Sequence, residues 1–211
     1  ILAIQNPLSL QLHPNTEQAV RGFETEEARG IKKDDPKRLY RDEKAKSELV
    51  CALTPFKAFC GLRNIDSVTE AAEIFDLPKG LFSPLLTDGE DGWGKVISDL
   101  LSEEWNQEID NLINCCEDGV DENWRKVAEE IVKISKIHKA DSSIMILPFM
   151  NYHELDTGDA MHVEPGVAHI YIQGMAVEVM EPGDNVVRAG LTKKHTDKKE
   201  FLSLLDTSAE T

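Results

Sequence analysis

A β-barrel interrupted by an all-helical block, α+β overall, is the fold class the sequence predicts. Three observations predict it. Apolar and polar residues alternate in the first 65 residues and again from residue 149; the hydrophobic spacing between them becomes helical; and Gly/Pro/Asp turns divide the last third into short pieces. The expected divisions are 1–65 and 149–211 for the barrel and 66–148 for the helical insertion.

The elements follow in order. Residues 2–13 read as one strand. Its "PLSLQLHPN" sets Leu8, Leu10 and Leu12 on one face and Ser9, Gln11 and His13 on the other. Residues 14–46 read as a long polar loop with a short helix near "TEQAVRGF", and "ELVCALTPFKAFCGLR" as two strands broken at Pro55. In the middle block, Ser67 is the expected cap of "SVTEAAEIFDLP" and Pro78 its stop. Trp105, Ile109, Leu112, Ile113 and Cys116 form one helical stripe. Trp124, Val127, Ala128, Ile131 and Val132 form another, behind Asp121 as cap; both stripes read as core. "FMNYHEL", "AMHVEP", "VAHIYIQG", "MAVEVM" and "NVVRAG" then read as strands, and "DKKEFLSLL" as a closing helix.

Composition narrows the function classes. The chain has 211 residues and a formal net charge of −16, which argues against a nucleic-acid or anionic-membrane surface. A small anionic ligand needs only a few local cations and stays open. The four cysteines form no CxxC pair, so reduced thiols and a cytoplasmic setting are expected. No apolar run approaches the length of a membrane span. The chain begins at Ile1 inside a strand pattern, so further strands are expected upstream.

Several polar residues sit on apolar strands: Gln11 and His13, Glu48, His169 with Tyr171 on its face, and Glu178 between Val177 and Val179. Inside a barrel such groups are costly unless they satisfy one another or a metal. Two imidazoles, a carboxylate and a carboxamide oxygen suit a borderline divalent cation, zinc foremost. Each residue alone is an ordinary core or surface group, and it is the set that carries the signal. A second cluster, "DNVVRAGLTKKHTD", gathers Arg188, Lys193, Lys194 and His195 in an acidic chain. It reads either as a phosphate site or as a solvated basic loop.

"PLSLQLHPN", "GFETEEARGI", "KSELVCALTPFKAFCGLR", "EPGVAHIYIQGMAVEVM" and "DNVVRAGLTKKHTD", in that order, resemble the type I phosphomannose isomerases. The resemblance implies a mainly β cupin-type barrel (jelly roll) with a helical insertion. It implies one zinc ion per chain, held by Gln11, His13, Glu48 and His169. It puts Ser9, Arg188 and Lys194 near the substrate or its phosphate, and Lys46, Tyr171, Glu178 and Asp184 in the pocket. The sequence departs from the family pattern at Ala45, Ser47, Ile170, Gly183 and Lys193. Family members also begin well upstream, and many continue into a second cupin-like domain, so the chain is expected to be a fragment.

The implied reaction interconverts mannose 6-phosphate and fructose 6-phosphate through an enediol. Glu178 is the first choice of general base and Lys46 the second, and Arg188 neutralises developing charge. A monomer with a phosphosugar substrate is expected. The competing readings are a non-catalytic metal- and sugar-binding cupin or inactive fragment, and an iron oxygenase of the same fold.

Overall fold

The computed structural model describes residues 1–78, 80–102, 104–139 and 141–208. Two compact units divide the chain, one of residues 1–61 and 153–211, the other of residues 62–152. The architecture is mixed α/β with an eight-stranded sheet.

In the first unit one strand organises all the others. The strands are β1 (Leu2–Ile4), β2 (Leu10–Leu12), β3 (Glu48–Ala52), β4 (Phe56–Leu62), β5 (Met150–Leu155), β6 (Ala160–Val163), β7 (His169–Met180) and β8 (Val187–Gly190). The start of β7 pairs antiparallel with β2 and β4, and its end with β1 and β3. β8 extends the first sheet beyond β2, and β6 extends the second beyond β3. The changeover falls at Gly174, whose φ is +128° and whose Cβ would lie 2.6 Å from the Pro55 carbonyl oxygen. Only glycine allows both that conformation and that approach.

The strand expected over 2–13 is two strands, because Gln5, Asn6 and Pro7 interrupt the pairing. Conversely "VAHIYIQG" and "MAVEVM" join as β7. Ile4, Val50, Ala52, Phe56, Ala58, Met161, Val163, Tyr171 and Ala176 form one hydrophobic core cluster. The helix near "TEQAVRGF" is longer than expected, α1 (Thr16–Ala28), with an Asn15/Gln18 capping box. The segment after it is pinned by the Glu26 carboxylate, which accepts the Leu39 and Tyr40 N–H groups at 3.1 and 2.8 Å. Asp197 caps the closing helix α7 (Lys198–Leu204).

The second unit holds α2 (Ile65–Ile74), α3 (Ser83–Asp88), α4 (Trp93–Ser102), α5 (Asn106–Asp118) and α6 (Arg125–Ile137), then a buried 3₁₀ segment at Ser142–Phe149. Asn64, not Ser67, caps α2. Its extended backbone turns the side-chain oxygen onto the Ser67 N–H at 2.9 Å. Asp121 lies a turn before α6, and Trp124 takes the cap position. Trp105 likewise precedes α5 rather than joining its stripe. Among the described residues no helix is long and apolar enough to cross a membrane.

Trp124 is the centre of this unit. It meets Phe75 edge to face at 5.6 Å, lies under the Arg63 guanidinium at 4.3 Å, and donates its indole N–H to Glu70 at 3.1 Å. Trp124→Ala is expected to cost about 3–5 kcal/mol in urea unfolding, as for other buried aromatic truncations. A loss below about 1 kcal/mol would show that the indole is not packed in this way.

Candidate metal centre and anion cleft

The β2 segment explains its own polarity. Leu10 and Leu12 are fully buried on one face. On the other, Gln11 stands opposite His169 of β7 and opposite Arg188 of β8. Antiparallel partners share a face, so His169, Gln11 and Arg188 form one row across three strands. Cys60 of β4 extends the row beyond His169. His13 follows directly on β2, and Glu48 opens β3.

Three of these side chains converge. His13, Glu48 and His169 are each 1% exposed, and one ligand atom of each lies within 4.8 Å of the others. His13 Nε2 is 3.0 Å and His169 Nε2 is 3.9 Å from the Glu48 carboxylate. Each imidazole uses its other nitrogen on the backbone. His13 Nδ1 contacts the Asn185 carbonyl at 2.7 Å, and His169 Nδ1 the Val167 carbonyl at 3.0 Å. A carbonyl only accepts, so each Nδ1 carries a proton, the arrangement that leaves the inward-facing Nε2 as the atom able to bind a cation. Although 3.0 Å from Glu48, the buried Nε2 of His13 makes no hydrogen bond of acceptable geometry. Lone pairs facing a carboxylate in a dry site are satisfied by a cation between them. The donor set therefore fits zinc.

The surrounding groups favour the charges a cation needs. Burial works against ionisation of Glu48, but His13, His169 and Lys46 outweigh it and hold the carboxyl far below the usual carboxylate range. The Lys46 ammonium lies 2.7 Å from Glu48 Oε1, and the Tyr171 hydroxyl donates to Oε2 at 2.6 Å. Burial, with the neighbouring His13 imidazole, brings His169 down to about 4, so its ring is neutral at ordinary pH. Burial and the charge of Glu48 push the Cys60 thiol up to about 12. Gln11 accepts the Ser9 hydroxyl on Oε1 at 2.9 Å and turns Nε2 toward His169 at 3.3 Å.

Glu178 reaches the same interior because of Gly174. His169 and Tyr171 share a face, and by strict alternation Glu178 would point the other way. The irregularity at Gly174 shifts the alternation, and Glu178 then lies opposite Val50, on the face that carries Glu48. Burial and the nearby charge of Glu48 raise the Glu178 pKa, and Lys46 opposes the rise.

Arg188 links this centre to a cleft of about 520 Å³, lined also by Arg38, Arg41, Asp184, Lys193, Lys194 and His195. Burial and the charge of Arg41 lower the Arg188 pKa, Asp184 counters them, and the buried Nε has no hydrogen-bond partner. All the residues singled out in the sequence thus fall at the centre, at its rim or in the cleft. Sequence reasoning missed Arg41 and Asn185. The run "RLYRDEK" was a signal for the first.

Known proteins are similar to this chain in sequence and in fold. Residues 1–65 match the family described as phosphomannose isomerase type I, catalytic domain. Mannose-6-phosphate isomerase of Escherichia coli K12 is 31% identical over 204 residues, 96% of this chain and 52% of that protein. Mannose-6-phosphate isomerase 2 of Arabidopsis thaliana is 29% identical over 223 residues, 97% of this chain and 48% of that protein. Among solved structures, mannose 6-phosphate isomerase of Salmonella typhimurium bound to fructose 6-phosphate and zinc superposes with a TM-score of 0.85. It is 30% identical, and the match covers 99% of this chain and 54% of that one. The chain spans about half the length of the relatives it matches.

Proposed function

We propose that this chain, similar along nearly its whole length to mannose-6-phosphate isomerases, carries the zinc site and catalytic base of such an enzyme. The reaction is interconversion of D-mannose 6-phosphate and D-fructose 6-phosphate by proton transfer through an enediol. The observation that carries this reading is the buried His13–Glu48–His169 group with both Nδ1 atoms tied to carbonyls. It lies in a chain 30% identical to an isomerase solved with zinc and fructose 6-phosphate. The eight-stranded sheet, with one strand shared between two sets of partners, supports a cupin-type jelly roll.

His13, Glu48 and His169 would hold one zinc ion. Gln11 would join them through Oε1 after a half-turn of its carboxamide, which leaves its N–H facing Ser9. Bound zinc would supply Lewis-acid stabilisation of charge on the sugar's O1 and O2. The chain's own residues supply the rest. Glu178 takes the proton from C2 and returns it at C1 while a second proton passes from O2 to O1, and its raised pKa suits the carbon exchange. Lys46 is the weaker candidate for base because its ammonium is engaged by Glu48 at 2.7 Å. Tyr171, held protonated by burial and by Glu48, orients the carboxylate. Arg188 and Lys194 meet the phosphate at the cleft, with Asp184 setting the position of Arg41 across it at 3.2 Å. Remote phosphate binding orients the reacting carbons. The described cysteines form no disulfide, which supports a cytoplasmic enzyme, and the reading takes it as a monomer.

The test is metal analysis of the full-length protein with an assay of mannose 6-phosphate conversion, with and without chelator. One zinc per chain and activity lost to chelator and restored by zinc are expected. Zinc-loaded protein that leaves the sugar unchanged would overturn the catalytic reading and leave a metal-binding module.

A further inference from the structure

Asn185 stands just before β8 and is fully buried, yet it belongs neither to the metal group nor to the cleft lining. Its backbone carbonyl is the acceptor that fixes His13. Its side chain faces the other way, into the segment between Tyr40 and Glu48. Oδ1 accepts the N–H groups of Arg41 and Asp42 at 2.7 and 3.2 Å. Nδ2 donates to the carbonyls of Asp42 and Lys44, both at 2.9 Å, and to Asp42 Oδ1 at 3.2 Å. The two N–H groups on one side and the two carbonyls on the other permit one orientation of the amide. No other residue type offers that pairing in the same volume.

The segment Asn185 holds is in neither helix nor strand, so its backbone groups need side-chain partners. It carries Arg41 to the cleft and Lys46 to Glu48. The neighbours of Asn185 clasp the same segment. Asp184 N–H donates to Asp42 Oδ2 at 2.9 Å, and any side chain at Gly183 would collide with the Ala45 carbonyl.

We infer that Asn185 is the positioning residue that sets the anion cleft relative to the metal centre, its carbonyl orienting His13 and its carboxamide fixing the loop that bears Arg41 and Lys46. The consequence for catalysis rests on the isomerase reading above; the hydrogen-bond clasp does not. Loss of the carboxamide frees the loop, so substrate binding suffers before metal binding does.

The experiment is amide hydrogen exchange, zinc analysis and steady-state kinetics on the zinc-loaded full-length protein, comparing wild type, Asn185→Ala and Asn185→Asp. In wild type the Arg41 and Asp42 amides should exchange slowly despite lying in a loop. In Asn185→Ala that protection should disappear. KM for mannose 6-phosphate should rise about tenfold or more, kcat should fall less, and zinc should stay stoichiometric. Asn185→Asp keeps the shape but sets a carboxylate against two carbonyls, so it should move the same readouts. It serves if the alanine variant does not fold. Exchange of those two amides at exposed-loop rates in wild type overturns the proposal. So does a folded variant with KM and kcat both within about twofold of wild type. A wild type without isomerase activity would sink the reading above, while the exchange measurements still decide the clasp.

Discussion

Glu48→Gln should yield a protein that folds but purifies without zinc and does not isomerise mannose 6-phosphate. Glu48 is the one anion among the three converging ligands, and it is held ionised far below the usual carboxylate range despite its burial. A carboxamide of the same shape removes that charge. Outer-shell partners alone are worth ~10–100-fold in metal affinity, so loss of a ligand should exceed that. The measurement is a zinc titration against a chromophoric competitor, with wild type alongside. A structural account predicts something different. If Glu48 served only as a buried counter-ion for Lys46, the substitution would strand a buried ammonium at a cost of about 3–5 kcal/mol. Zinc affinity would then not change, because there would be no site. Unfolding with and without zinc separates the two. In the metal account zinc stabilises wild type and does nothing for the variant. Zinc binding in Glu48→Gln that equals wild type would remove Glu48 from the ligand set.

What could be read before the structure depended on the range of the interaction. The alternation of Leu8, Leu10 and Leu12 with Ser9, Gln11 and His13 is local, and it survives over β2, where Leu10 and Leu12 are buried and Gln11 faces His169; Leu8, ahead of the strand, is exposed. The two pieces of "ELVCALTPFKAFCGLR" part at Pro55 as a proline requires. The break between β1 and β2 was obscured because Gln5 falls on the same alternate positions as Ser9, Gln11 and His13, so that only Asn6 and Pro7 signal the turn. The cap of α2 was misplaced for a similar reason. Ser67 and Asn64 are both good caps, and only the extended backbone at Asn64 decides between them. Register was out of reach. Nothing local says that Gln11 faces both His169 and Arg188, because that follows from how β7 and β8 pair with β2. Strict alternation even argues against Glu178. The glycine that rescues it looks in the sequence like an ordinary turn between two strands. Asn185 was invisible as a functional residue because its role lies in hydrogen bonds to loop backbone more than a hundred residues away.

Glu178→Gln should be the most damaging change that leaves the metal in place. Glu178 is not among the converging ligands, and it stands on the same inner face as Glu48 through the register with Val50. Gln keeps its volume and a polar end beside Glu48, so zinc should remain stoichiometric and the fold intact. What disappears is the lone pair that accepts the C2 proton. A positioned general base contributes about 10²–10⁴-fold, so kcat should fall by roughly that factor with KM little changed. An exchange experiment reports on the same proton more directly. In deuterated water wild type should place deuterium at C1 of fructose 6-phosphate, and the variant should not within many wild-type turnover times. Lys46 supplies the contrast. Its ammonium touches Glu48, so Lys46→Met should disturb zinc binding and turnover together. If Glu178→Gln instead turns over near the wild-type rate with zinc bound, the base lies elsewhere. The raised pKa of Glu178 would then be a consequence of crowding beside Glu48 and have no part in proton transfer.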